Sequence, residues 1–440
     1  MVCRRLIWLE AHRRLEGPIL RISIEAGREC LEDPWALPKA LRARVHELVL
    51  APSALALGPE ILLSRLSGFP GLSSIVLHPS RGSHVLLDTM RVLRASIPAA
   101  FPGLVAYTEN GGSPCFPRPE LCRLPALTAL RLDRVRLAGP SSPLAPSWGA
   151  RLSSVSLSGL RLDFWLACAS AAGQQPLDGL STLPYLRSLT LRAEEPLELP
   201  LAAALLPQGL TELVLSNIFL DASLAAPPPC LSRLELALPT SDRPPALCVD
   251  RCTSLTSLSL SVAPGWPLPP DWPSSCLRVA AERLRQLSLG AIQPEPEVLQ
   301  KATRLTRLEV HGAGPRPPIS LPLLPRLVHL CLRSLSLPSA ATLELLPRLS
   351  RLSSLDLARS QWIACLQQTA PGDSLAEALW HLTGLRALNL GGWAMTGEAV
   401  YALLGALSGL ESLHCPRLVR GRKVPPHGHR LLERAWAPAG

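Results

Sequence analysis

The chain has 440 residues, 47% of them apolar but only 4% aromatic, and 94 are leucine. A chain this long holds two or three ordinary domains or one elongated repeat array, and its core must be aliphatic. Of 44 basic residues only Lys39, Lys301 and Lys423 are lysines. Abundant Arg, Ala, Pro and Gly with scarce Asn and Lys is the imprint of GC-rich coding, so arginine richness alone does not point to nucleic acid.

The formal net charge of +10 is uneven. Residues 416–440 carry Arg417, Arg420, Arg422, Lys423, Arg430 and Arg434 against Glu433, half of the excess. The remainder is too dispersed to create a strong field.

At the N-terminus, MVCRRLIWLEAHRRLE has two arginines followed by a four-residue apolar run before Glu10, shorter than a secretory core. This stretch reads as a short helix, and RECLEDPWALPKALRARV (28–45) leads into the first strand. Residues 1–44 are therefore expected to form a helical cap over the first repeat. No apolar run approaches the roughly 18 residues of a membrane span. The twelve cysteines are scattered singly and no Asn-x-Ser/Thr site surrounds Asn110, Asn217 or Asn389, which fits reduced thiols. The cytoplasm, or the nucleus, is the expected compartment.

From residue 45 the unit L-x-x-L-x-L recurs. Copies begin at Val45, Leu72, Leu127, Leu152, Leu186, Leu210, Leu231, Leu255, Leu284, Leu305, Leu327, Leu352, Leu385 and Leu410, with a poor copy, LVAYTE, at Leu104. The steps average about 26 residues, mostly within the 20–29 of one repeat class. Second and third leucines alternate as in a strand, so both face one side. Each unit leaves an apolar row that only a neighbouring unit can bury.

This pattern resembles the leucine-rich-repeat superfamily over about 85% of the chain. The last repeats are most similar to the ribonuclease-inhibitor-like and F-box-associated types. The resemblance implies an α/β leucine-rich-repeat solenoid of about 15 irregular repeats over 45–418. Its parallel sheet would line a concave side, with short helices and irregular loops outside. Residues 419–440 would form a basic tail. The segments 337–349, 373–385 and 396–410 have helical apolar spacing. The tracts 264–273 and 225–229 are too proline-rich for helix.

The family places Asn or Cys three residues after the third leucine. Here that position holds Val135, Leu160, Ile218, Ile292, Leu335 and Leu418, so the side-chain ladder is expected to be absent. Backbone or water must then satisfy the turns.

Residues interleaved with the leucines face away from the core. Early and middle strands offer small groups there: Ser154, Ser156 and Ser158, then Ser257, Ser259 and Ser261. A charged lane follows in Arg307, Glu309, His311, His329, Cys331, Arg333, Ser354 and Asp356. Parallel pairing would set Arg307 beside His329, Glu309 beside Cys331 and His311 beside Arg333. This mixed-charge patch is the candidate partner-binding site, with Arg233 and Glu235 a smaller one of the same kind.

Catalytic and metal chemistry find little support. Cys331 and His329 with Glu309 or Asp356 lack the pocket and oxyanion donors a thiol nucleophile needs. Cys248 and Cys252 in CVDRC have no second ligand pair at zinc spacing. Phosphate-loop, dinucleotide, zincin and nucleophile-elbow motifs are absent. No enzyme activity and no cofactor are expected.

The expected function is a protein-interaction scaffold or receptor binding a protein through its concave face. One alternative is an F-box-like substrate-recognition subunit of a ubiquitin ligase, for which only GPEILLSRLSGF (58–69) offers a faint match. Another is a nucleic-acid-associated protein using Arg417, Arg420, Arg422, Lys423 and Arg430. Nucleic acid and membrane are not the expected partners.

Overall fold

The computed structural model describes residues 22–26, 45–78, 84–110, 115–116, 121–137, 151–162, 180, 183–198, 206–219, 227–239, 249–263, 274–312, 321–337, 339–362, 372–414 and 417–419. The chain divides into two compact units, 1–186 and 187–440. Both are built from the same element: a short strand, parallel to the strand of the repeat before it.

In the first unit the strands run Ile22–Ala26, Val45–Leu50, Ser74–Leu77, Ala106–Glu109, Ala129–Asp133 and Ser154–Leu162, each parallel to the next. Helices Pro52–Leu55, Pro59–Leu66 and His84–Ala100 fill the early connections. Proline opens the first two of these, where its missing N–H costs nothing. GPEILLSRLSGF is thus a connecting helix between two repeats.

The second unit stacks Ser188–Glu198, Glu212–Phe219, Arg233–Leu238, Ser257–Val262, Gln286–Gly290, Arg307–His311, His329–Arg333, Ser354–Asp356, Ala387–Asn389 and Ser412–His414, again all parallel. Helices Ser339–Leu345, Gly372–Leu379 and Gly397–Ala406 occupy the segments with helical spacing. Thr396 caps the last of them, its Oγ1 accepting from the Ala399 N–H at 3.2 Å. Tract 264–273 lies outside the described residues.

The leucine pattern is the core. In repeat after repeat the three positions are buried, as in Leu255, Leu258 and Leu260 or Leu327, Leu330 and Leu332. Register is leucine on leucine: Leu308 pairs with Leu330, and Leu330 with Leu355. Each row is therefore roofed by the rows beside it. Each unit is a leucine-rich-repeat solenoid built by parallel stacking.

The expected cap, residues 1–44, is described only at Ile22–Ala26. That stretch is a strand and not a helix: it extends the sheet beyond Val45–Leu50, with Ile24 opposite Leu48 and Ala26 opposite Leu50. Its alternation, ISIEA, is that of a strand.

Seven of the turns share one geometry. The residue two positions after the third leucine has positive φ in Arg134, Gly159, Asn217, Ala291, Ser334, Arg359 and Gly392. The next residue then turns inward, burying Val135, Leu160, Ile218, Ile292 and Leu335 where the family has a polar side chain. At Gly159 a Cβ would sit 2.9 Å from Arg134 Cα, so this turn leaves no room for a side chain. Backbone bonds between repeats serve the turns: Ser334 N–H donates to Ala358 O, and Arg359 N–H to Gly391 O.

The side-chain ladder is not wholly absent. Ser360 and Trp393 hold the same position in their repeats, and both are buried. Ser360 Oγ donates to Leu332 O at 2.6 Å and accepts from Leu335 N–H at 3.1 Å. Trp393 Nε1 donates to Leu357 O at 2.7 Å. Each reaches the carbonyl of the preceding third leucine. The expected absence holds for the apolar positions and is corrected at these two.

The poor copy also folds in register. Tyr107 and Glu109 occupy the second and third leucine positions, both with no exposure. Arg94, from the preceding helix, binds both Glu109 carboxylate oxygens, and Tyr107 OH donates to Oε2 at 3.0 Å. A buried carboxylate is tolerable only because these partners compensate its lost hydration.

Two stability predictions follow from this packing. Leu330→Ala, at a site 1% exposed, should cost about 2–5 kcal/mol in urea-induced unfolding; a loss below about 1 kcal/mol would contradict its core position. Glu109→Gln, which leaves Arg94 uncompensated, should cost about 3–5 kcal/mol, whereas the triple change Arg94→Met, Tyr107→Phe, Glu109→Leu should be neutral or up to about 4 kcal/mol stabilising.

Candidate functional site

The sheet face of the second unit offers three outward lanes, at the positions two, four and six residues after each first leucine. The first reads Ser188, Glu212, Arg233, Ser257, Gln286, Arg307, His329, Ser354, Ala387, Ser412. Because strands pair residue for residue, neighbours in a lane are about 4.8 Å apart, and the outer lanes lie about 13 Å from each other along a strand.

The pairing expected from the sequence is present. Arg307 lies opposite His329, Glu309 opposite Cys331 and His311 opposite Arg333. The next pairing sets Cys331 beside Asp356. Arg307, His329 and Arg333 are exposed, and Glu309, His311, Cys331 and Asp356 are half-buried.

Two ion pairs organise this patch. Arg307 donates to Glu309 Oε1 through Nε at 2.7 Å, and Ser288 Oγ donates to Oε2 at 3.3 Å. Arg333 donates to Asp356 Oδ2 through both Nε, at 2.8 Å, and a terminal nitrogen. The Asp356 carboxylate also accepts from Asn389 Nδ2 at 3.1 Å and from Ala358 N–H at 3.0 Å. Burial works against its charge, yet Arg333 and these donors prevail and hold the carboxyl below its ordinary range. Asp356 thus stays ionised, and what it adds to stability is present above its unfolded-state value and lost only as acid protonates it.

The remaining outward acids are arranged alike. Arg233 bridges Glu212 at 3.0 Å and Glu235 at 3.2 Å; Arg192 reaches Glu235 at 3.5 Å, and Ser188 Oγ donates to Glu212 at 2.9 Å. Sequence reasoning singled out Arg233 and Glu235 but missed Arg192, Glu212, Ser288 and Asn389. The signal was there: each stands at an outward position of its own repeat.

Cys331 is placed as no nucleophile would be. Burial first, and then the Asp356 carboxylate, push its thiol up to about 11. His329 and His311 lie across from arginines in register, not from Cys331. Cys252 is buried with its thiol directed at Pro228 O, 3.5 Å away, and Cys248 lies outside the described residues. Among the described residues no His, Cys, Asp and Glu group could hold a metal ion. None of their helices is long and apolar enough to cross a membrane.

Of the basic tail, Arg417 begins strand Arg417–Val419, which pairs with Ala394–Thr396. Arg420, Arg422, Lys423 and Arg430 lie outside the described residues.

Alkylation by iodoacetamide tests the Cys331 environment. At pH 7 only about one Cys331 in ten thousand should be thiolate, so its labelling should trail that of exposed Cys230 and accelerate about tenfold per pH unit up to about pH 10. Rapid, pH-independent labelling read by peptide mass spectrometry would contradict the buried, carboxylate-flanked position.

No protein-family model and no curated protein matches the chain. Among solved structures it is similar to a leucine-rich-repeat protein of Leptospira interrogans, with 14% identity and a TM-score of 0.41, over 95% of this chain and 98% of that one.

Proposed function

We propose that the chain is a non-enzymatic protein-binding solenoid that takes a polypeptide partner on the sheet face of its second unit, over Arg307, Glu309, His311, His329, Cys331, Arg333 and Asp356. One observation carries this reading: seven polar or titratable side chains fall on three adjoining strands, in register, on a face the core does not use. Their packing duty is slight, because exposed ion pairs contribute only about 0–1 kcal/mol each. An extended sheet face of stacked repeats suits a partner that spreads over several strands.

Catalysis has little to work with here. A raised thiol and carboxylates already held by arginine provide neither nucleophile nor free base.

Replacing Arg307, Glu309 and Arg333 together with alanine tests the reading. The variant should lose no more than about 2 kcal/mol of stability. In affinity purification with quantitative mass spectrometry, proteins captured by the native chain should drop out of the variant's sample. An unchanged set of captured proteins would move the site elsewhere.

A further inference from the structure

The donors and acceptors on this face do not balance, and the imbalance identifies the chemistry of the partner. Four carboxylates stand in the outward lanes of the second unit: Glu212, Glu235, Glu309 and Asp356. All eight of their oxygens already accept a hydrogen bond or ion pair from the face itself. For Glu212 the donors are Arg233 and Ser188; for Glu235, Arg192 and Arg233. For Glu309 they are Arg307 and Ser288; for Asp356, Ala358 N–H on one oxygen and Arg333 with Asn389 on the other.

The arginines are not used up in the same way. A guanidinium has five N–H donors, and these pairs engage only part of each fork. Depth separates the two partners as well. Side chains of Arg192, Arg233 and Arg307 are 52% exposed and Arg333 48%, while Glu212, Glu235, Glu309 and Asp356 are only 33%, 28%, 23% and 15% exposed. The carboxylates form a recessed layer that pins the forks, and the forks are what a partner meets. His311 and His329 add ring nitrogens beside Arg333 and Arg307.

We propose that this face recognises a peptide segment bearing spaced carboxylates, seated on Arg307 and Arg333 and extending toward Arg233. The inference rests on the reading of this face as the partner surface. Arg307 and Arg333 stand in opposite outer lanes of adjoining strands, so two carboxylates about 13–14 Å apart reach both. In an extended segment that is a spacing of four residues.

A nucleic acid fits less well. Four arginines balanced by four carboxylates leave no net charge to replace the counterions of a phosphate polymer. None of the three lanes of the second unit presents a Phe, Tyr or Trp on which a base could stack.

The full chain, immobilised, is used to select from a phage-displayed library of random peptides. Enriched sequences are synthesised with a fluorophore and titrated by anisotropy, beside labelled oligodeoxythymidine. Three variants accompany the native chain: Ser354→Trp, which obstructs the face without changing charge; Arg307→Gln with Arg333→Gln; and Glu411→Gln, an exposed acid paired with Arg386 outside the three lanes. The expected result is peptides with Asp or Glu four residues apart. Their affinity should vanish with Ser354→Trp, fall at least tenfold in the double arginine variant and survive in Glu411→Gln.

Neutral or basic peptides that Ser354→Trp still blocks would overturn the carboxylate preference and leave the partner surface standing. Peptides indifferent to Ser354→Trp would overturn both. Oligodeoxythymidine binding more tightly than every peptide, and lost in the double arginine variant, would reassign the forks to phosphate.

Discussion

Every feature of this chain depends on one constraint: a single L-x-x-L-x-L repeat cannot bury its own leucines. Leu327, Leu330 and Leu332 become a core only when the rows at Leu305 and Leu352 cover them. Stability is therefore a sum over neighbouring contacts, and a unit is tolerated to the extent that it presents a compatible inner row. That is how Glu109 survives in a leucine position. Its register with Leu77 and Leu132 is kept, and Arg94 and Tyr107 supply what the missing hydrocarbon does not.

The same constraint explains the turns. Stacked repeats bring successive turns close together, and in seven of them a positive-φ residue two positions after the third leucine bends the chain so that the following side chain can enter the core. An apolar residue at that place strengthens the core but leaves the preceding carbonyl to the backbone ladder. Ser360 and Trp393 take the other solution and donate to Leu332 O and Leu357 O. Two adjoining repeats of the second unit thus keep the side-chain ladder that Ile218, Ile292 and Leu335 replace with hydrocarbon in theirs. Buried carbonyls left without donors would each cost on the order of 1–3 kcal/mol, so both solutions are forced by the same accounting.

Much of this was legible in the sequence because the strand period is two. Once Leu308, Leu330 and Leu355 are aligned, the outward positions and their cross-strand neighbours follow, and the pairing of Arg307 with His329 needed no coordinates. Other features required the third dimension. Glu109 reads as a defect until Arg94 arrives from a helix outside the repeat pattern. Ile22–Ala26 has too few leucines to register as a repeat, yet its alternation is enough for pairing. Trp393 looks like loop padding until its indole N–H is seen to meet the Leu357 carbonyl. The direction of each ion pair, fork outward and carboxylate inward, depends on side-chain length above a rigid sheet. No repeat pattern encodes it.

That difference in length has a consequence for binding. Glu and Asp are shorter than Arg, so on a flat sheet the acid sits lower and acts as an anchor for the fork above it. Ser288, Asn389 and the Ala358 N–H fix the anchors in turn. A long arginine ordinarily surrenders considerable rotamer freedom when it binds. Here part of that cost has been met in folding, because Arg333 is already held at two nitrogens by Asp356. The serine-rich strands that precede the patch, with Ser257, Ser259, Ser261 and Ser288, keep the surface low on one side. If this face takes the proposed peptide, its oriented forks, saturated acids and low serine ground would discriminate by the position of the peptide's carboxylates. Net charge contributes little to that choice, since the four arginines and four acids cancel.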